Sequence, residues 1–231
     1  MKTALVTHVW LDNPLPGYKG TNLGRCRRLD RFIRYYNLMW PTVVLDNGSS
    51  RSSLALYWQP KLKIINQQPH YDRPSMLDYP AVWRNYWTIK GLLNEYDRIF
   101  YIATDARILS QRLLDYIEGL ESGWTALFSP KYNFPEPCIQ VITKCPAFER
   151  FFFGECDRMR YNGNIEELTL PLTHVEKGFI GDRFSEYGPE EVIPPMDTWD
   201  FVTQVSDSPD FDDSVFPVVR RIEGKATICK P

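Results

Sequence analysis

Asp46 and Asp105 are the residues from which a chemistry can be read in this chain. Asp105 closes the stretch Ile99-Phe100-Tyr101-Ile102-Ala103-Thr104-Asp105, and Asp46 follows Val43-Val44-Leu45. An apolar run rich in aromatic and β-branched residues is the signature of a strand covered on both faces. An acid just beyond the carboxyl end of such a strand stands where parallel α/β sheets bind ligands, placed to meet a metal ion or a polar group. If the strands are parallel, both carboxylates lie at one crevice. After Asp46 come Asn47-Gly48-Ser49-Ser50, whose backbone N–H groups and hydroxyls suit a polar ligand. Each acid also has a purely structural reading. Asp-Asn-Gly is a common turn, and either Asp105 or Ser110 can cap the helix that follows.

The elements that must position these acids are legible from periodicity. Thr3 to Trp10 reads as a first strand, running into a Pro- and Gly-containing loop from Asp12 to Gly20. Arg25 to Met39 places Leu29, Phe32, Ile33, Tyr36 and Met39 at helical spacing, and Pro41 ends it. Strands follow from Thr42, ending in the turn that reaches Ser50, and at Lys61 to Asn66; Gln67 to Pro80 is a loop. Ala81 to Tyr96 is a helix with Val82, Tyr86, Ile89, Leu93 and Tyr96 on one face. The Asp105 strand comes next, then a helix from Ser110 to Glu121. The order β-α-β-β-α-β-α predicts an α/β fold with a largely parallel sheet flanked by helices.

The second half has a different character. Trp124 to Ser129 and Cys138 to Thr143 read as strands around a Pro-rich turn, Tyr132 to Pro137. Pro146 to Cys156 reads as a helix whose Phe148, Phe151 and Phe152 face a core. Asn164 to Thr169 is ambiguous, Thr173 to Tyr187 reads as a loop leading into a short helix, and the Pro- and Asp-rich tail from Pro189 is expected to wrap the surface. No linker divides the chain, so one domain over 1–231 is expected.

Composition narrows the function. A hydrophobic fraction of 43% in 231 residues supports a sizeable core. A net charge of −2 speaks against a general nucleic-acid binder, which carries a basic excess. Five cysteines without a C-x-x-C pair suggest core thiols of a reducing compartment rather than a disulfide framework or a zinc site. No segment approaches a membrane span, and Met1 to Trp10 lacks the pattern of a signal peptide. A soluble, cytoplasmic protein is therefore expected. The aromatic content of 14% suits carbohydrate handling and a packed core equally.

Taken together, the first strand and its loop, Val43 to Ser50, the helix from Ala81 and Ile99 to Ile108 resemble the nucleotide-sugar half of a GT-A-fold glycosyltransferase. The resemblance covers about residues 1–145 and implies a single GT-A-like (Rossmann-like) domain, with 146–231 as acceptor-side half and tail. It implies transfer of a sugar from a nucleoside-diphosphate donor, UDP ahead of GDP, to a glycan or other hydroxyl acceptor. Asp46 matches the acid that holds the base. Asp105 matches the last acid of an Asp-x-Asp motif, which binds the divalent cation of the diphosphate, while Ala103 stands where the first acid belongs. One carboxylate, water and two phosphate oxygens can still hold Mg²⁺ or Mn²⁺, so a weak or dispensable cation is expected. Arg84, Lys90 and the loop residue Lys19 are candidates for diphosphate contact, and each also reads as a solvated charge. In Gly181-Asp182-Arg183-Phe184-Ser185-Glu186, Asp182 and then Glu186 are the candidate acceptor-side acids; a Gly-Asp turn opening a short helix puts both on one face. The plainer alternative has Asp182 capping that helix and Arg183 or Lys177 pairing with Glu186. His174 matches a late metal ligand of some retaining members.

Two rivals remain. A sugar nucleotidyltransferase shares the fold, and Gly17 to Leu23 resembles its Gly-rich loop, but Leu11 to Pro16 intervene after the first strand. A GT-A-like domain that binds without catalysing is the other, supported by Ala103. No Gly-x-Gly-x-x-Gly follows the first strand and no P-loop motif exists.

Overall fold

Strand β1 (Thr3–Val9) shows how the chain builds its centre. Successive side chains of a strand point to opposite faces, and here both faces are apolar. Ala4 and Val6 join one buried cluster while Leu5 joins another. The same division runs through β4 (Arg98–Ile102), where Ile99 and Tyr101 face one way and Phe100 and Ile102 the other. A sheet apolar on both faces needs a helical layer on each. Helices α2 (Pro80–Leu92) and α4 (Pro146–Gly154) cover the first face through Trp83, Tyr86, Ile89, Phe148 and Phe151; α1 (Asn22–Tyr36) and α3 (Gln111–Gly119) cover the second through Phe32, Tyr36, Leu113 and Ile117.

The computed structural model describes residues 1–9, 11, 22–37, 39–50, 62–69, 80–130, 133–154, 170–183, 197–205, 214 and 216–230. With β2 (Thr42–Asp46), β3 (Leu62–Asn66), β6 (Trp124–Ser129), β7 (Phe134–Thr143) and β8 (His174–Glu176), the central sheet has seven strands in the order β3-β2-β1-β4-β7-β6-β8. Only β7 runs against the others. The fold is therefore α/β with a mostly parallel sheet, as the sequence order predicts. From β1 the chain winds outward to β2 and β3, then returns to place β4 on the other side of β1. That reversal makes a topological switch point at the carboxyl ends of β1 and β4, the usual place for a ligand crevice in such sheets.

A smaller sheet lies beyond β4. It is formed by β5 (Arg107–Ile108), β10 (Phe201–Thr203) and β9 (Gly181–Arg183), in the order β5-β10-β9. Last comes a hairpin of β11 (Val218–Ile222) and β12 (Lys225–Cys229). Its two turn residues, Glu223 and Gly224, both have positive φ (51° and 83°), as a tight hairpin whose twist matches its strands requires.

Three expectations need correction. The Pro-rich segment read as a turn is mostly strand: β7 begins at Phe134 and carries Pro135 and Pro137. The register between β6 and β7 shifts between Ala126 and Leu127, and prolines are tolerated in strands at such irregularities. The segment read as a loop opening a helix contains β8 and, at Gly181–Arg183, β9. The tail read as a surface wrap instead supplies Phe201, Val202 and Thr203, each 0% exposed. Asn164 to Thr169 and Glu186 lie outside the described residues.

Candidate active site

The turn that carries Asp105 is held rigidly. Arg107, 2% exposed, donates from Nη1 to the carbonyls of Thr104 and Ala106, both at 2.9 Å. Tyr35 and Tyr36 of α1 donate their hydroxyls to the carbonyls of Ile108 and Ala106. The Asp105 carbonyl accepts from Val205 N–H at 2.9 Å, which ties the turn to the end of β10. The helix cap is Ser110, whose side chain accepts from Leu113 N–H, so the Asp105 carboxylate is not engaged as a cap. It lies 3.3 Å from Nη1 of Arg28 on α1, and both side chains are partly open to solvent, 27% for Arg28 and 20% for Asp105.

His8, near the end of β1, completes the crevice. Its Nδ1 lies 2.9 Å from the Tyr101 hydroxyl, and the two rings stack. Burial pushes Tyr101 well above the usual phenol range, with Tyr86 adding to the effect, so the hydroxyl keeps its proton. That oxygen accepts from Asn85 Nδ2 and shares a hydrogen bond with His8 Nδ1. Burial lowers the imidazole pKa, Asp105 opposes the shift and Arg28 adds to it. His8 is a neutral imidazole placed among opposite charges.

Asp46 has a different situation. It is 0% exposed, and its carboxylate accepts from the Ser49 N–H at 2.8 Å, from the Ser49 hydroxyl and from Asn66 Nδ2 at 2.9 Å. The Ser49 hydroxyl in turn accepts from Leu11 N–H at 2.7 Å, and Asn47 N–H donates to the Val9 carbonyl. Asp46 thus fixes the turn at the ends of β1, β2 and β3, with Gly48 at φ 77° supplying the left-handed position. Arg84 reaches the same turn, donating to Asn47 Oδ1 and to the Pro69 carbonyl.

The structure brings Asp46, Arg84 and Asp105 to the carboxyl edge of the sheet. It takes Lys90 elsewhere: Lys90 pairs with Glu149 on α4 at 3.3 Å and lies over the Phe152 ring. His174 begins the edge strand β8 and meets Glu176. Asp182, 8% exposed, lies in β9 rather than at a helix start, so the shared helical face with Glu186 does not apply at this position. Its backbone pairs across Val202 of β10, which also pairs with Arg107. Two strand spacings, about 10 Å, therefore separate Asp182 from Arg107 in the Asp105 turn. Lys19 lies outside the described residues.

Glu136 and Arg28 escaped the sequence reading, and Arg183 entered it only as a partner for Glu186. Glu136 is 0% exposed and accepts from Arg183 Nε at 3.2 Å, from Cys138 N–H and from Thr203 Oγ1. Burial raises its pKa and Arg183 opposes the shift. Burial, Glu136 and Asp105 together raise the Cys138 thiol well above its ordinary range, so it is not a nucleophile.

A divalent cation held by the chain alone would need donors beside Asp105. Ala103 supplies none, the carboxylate already faces a guanidinium, and the described residues contain no group of three or more His, Cys, Asp or Glu able to hold a metal. Those residues do not fit a cation site built by the protein. No helix among them is long and apolar enough to cross a membrane.

No family model matches the sequence, and no curated protein matches it. Solved structures similar to the chain include the mannosyltransferase PcManGT from Pyrobaculum calidifontis in complex with GDP-Man and Mn²⁺, at 12% identity over 65% of this chain and 46% of that one, TM-score 0.35. TarS 1–349 of S. aureus in complex with UDP-GlcNAc is similar at 14% identity over 56% and 34%, TM-score 0.33. A glycosyltransferase involved in glycosylation of the major capsid of PBCV-1 is similar at 8% identity over 89% and 95%, TM-score 0.40. The chain spans less than half of the first two structures. The mostly parallel sheet with Asp46 at the end of β2 is the arrangement that the resemblance read in the sequence implies.

Proposed function

We propose that the chain is a glycosyltransferase that moves a sugar from a nucleoside diphosphate, UDP ahead of GDP, to a hydroxyl of a glycan or other acceptor. The observation that carries this reading is the crevice at the reversal between β1 and β4, where His8, Arg28 and Asp105 meet at the sheet's carboxyl edge. A rigid turn with partly solvent-open charge and a neutral imidazole suits an anionic ligand. The turn held by Asp46 borders the same edge and takes the nucleoside end of the donor. Residues 146–231 take the acceptor side, with Asp182 drawing the proton from the acceptor hydroxyl. Any Mn²⁺ or Mg²⁺ would enter bound to the diphosphate and not at a site built by the chain.

A thermal-shift panel of UDP, GDP, CDP and dTDP, each with and without Mn²⁺, tests the reading. One nucleotide at about a hundred times its dissociation constant adds about 2.7 kcal/mol, a rise of about 5–10 °C for a chain of this size. No shift with any nucleotide would sink the proposal. Where a nucleotide binds, Asp182→Ala is expected to lower turnover about a hundredfold or more at unchanged donor affinity, and wild-type turnover would remove Asp182 from the chemistry. Binding without transfer or donor hydrolysis in the wild-type chain would instead support the non-catalytic domain that Ala103 suggests.

A further inference from the structure

Asp105 alone is a poor partner for a diphosphate, because like charges repel and the crevice walls weaken solvent screening. The chain places a cation against that acid. Arg28 lies 3.3 Å away, reaches solvent and sits in the second turn of α1, the helix that follows β1. A guanidinium offers a planar fork of donors that matches two phosphate oxygens, and its charge does not titrate. The turn that carries Asp105 is fixed by Arg107, Tyr35 and Tyr36, so the acid presents a rigid anchor. His8, whose pKa burial lowers, adds an imidazole nearby.

Resting on the nucleotide-sugar reading above, we infer that Arg28 meets the donor's diphosphate, with Asp105 as its holder, so that the chain itself supplies the charge that the family resemblance assigns to a divalent cation. Asp105 keeps the guanidinium aimed at the crevice in the empty protein and yields it when the phosphates arrive. The two roles for Asp105 make opposite predictions. As a metal ligand its loss removes binding; as a holder its loss releases the arginine.

Calorimetric titration of UDP and of uridine into the full chain, in excess EDTA and in excess Mn²⁺, tests this, with GDP and guanosine substituted if the panel selects guanine. The expected result is a UDP dissociation constant in EDTA within about threefold of that in Mn²⁺. Arg28→Gln should weaken UDP about tenfold or more, since it removes a charged hydrogen-bond donor to the phosphates, and leave uridine binding unchanged. Arg28→Lys should recover part of the loss. Asp105→Asn should bind UDP in EDTA at least as tightly as wild type. UDP binding that requires Mn²⁺, loss of binding in Asp105→Asn, or wild-type UDP affinity in Arg28→Gln would each overturn the inference. So would equal losses of UDP and uridine, which would mark Arg28 as structural. These outcomes leave nucleotide binding itself intact. Absence of UDP and GDP binding by the wild-type chain in both conditions would bring down the parent reading, and the inference with it.

Discussion

Tyr101 accepts from Asn85 and hydrogen-bonds His8 Nδ1, which holds the imidazole near the end of β1. Its consequence for stability follows from the direction of the His8 shift. Burial holds the folded-state pKa below the ordinary 6.5, so below that value the unfolded chain binds a proton that the folded chain refuses. His8 therefore contributes stability that is present above about pH 6.5 and is lost as pH falls toward its folded pKa. Glu136 works in the opposite sense. Its pKa is raised by burial, so its contribution is full below the ordinary 4.5 and is lost as pH rises through the folded value. Replacing the imidazole isolates the first effect. His8→Gln should flatten the fall in unfolding free energy between about pH 7 and pH 5.5, where a single proton contributes a slope of at most about 1.4 kcal/mol per pH unit. Urea melts of both proteins across that range measure it, and parallel curves would show that His8 titrates normally.

Among the elements, β7 and β9 are joined by Glu136 and Arg183, both almost wholly buried. A buried pair costs desolvation on both sides, and removing one member leaves the other charge without its compensation. Glu136→Leu should therefore cost about 3–5 kcal/mol, while Glu136→Leu combined with Arg183→Leu should recover at least about 2 kcal/mol of that loss. A double-mutant cycle by urea melts decides it, since additive losses would mean the two side chains are not coupled. This contact also shows what the sequence could carry. Strand β4 and helix α2 were legible because their apolar period is long enough to declare itself, and Trp124–Ser129 was legible to the residue. The sheet edge followed, because parallel strands carry Asp46 and Asp105 to one side. Cys138–Thr143 reads as the strand it is, while the Phe134–Pro137 part of β7 does not, because a proline pair normally signals a turn and the bulge is a tertiary fact. β9 and β10 have three residues each, too few for any period. Gly181 gives the physical reason they can pair closely: a Cβ there would lie 2.3 Å from the Phe201 carbonyl oxygen. Arg28 was hidden among the arginines of α1, since only the fold decides which of them turns toward Asp105.

Across the whole molecule, the chain's last segments stabilise its first helix. The β11–β12 hairpin packs on α1 and α3, Arg221 Nη2 donates to the Met39 carbonyl at 2.8 Å, and Gln111 of α3 bonds both Ile228 N–H and the Ala226 carbonyl. Val219 and Ala226 are buried in the same cluster as Phe32, Tyr35 and Tyr36. Helix α1 in turn carries Arg28 and the two tyrosines that hold the Asp105 turn. Removing residues 217–231 uncovers the apolar surface of Phe32, Tyr35 and Tyr36 that Val219 and Ala226 cover, a burial worth about 1.5–3 kcal/mol, and breaks hydrogen bonds worth about 1 kcal/mol each. A loss of about 4 kcal/mol is a large share of the 5–15 kcal/mol that holds a typical domain, and the melting temperature should fall by about 10 °C. Because α1 links the hairpin to the crevice, nucleotide affinity should fall as well, even at temperatures where the shortened chain remains folded. Titrating UDP into that chain well below its melting point separates the two effects: an unchanged affinity would show that the hairpin stabilises the fold without setting the position of Arg28.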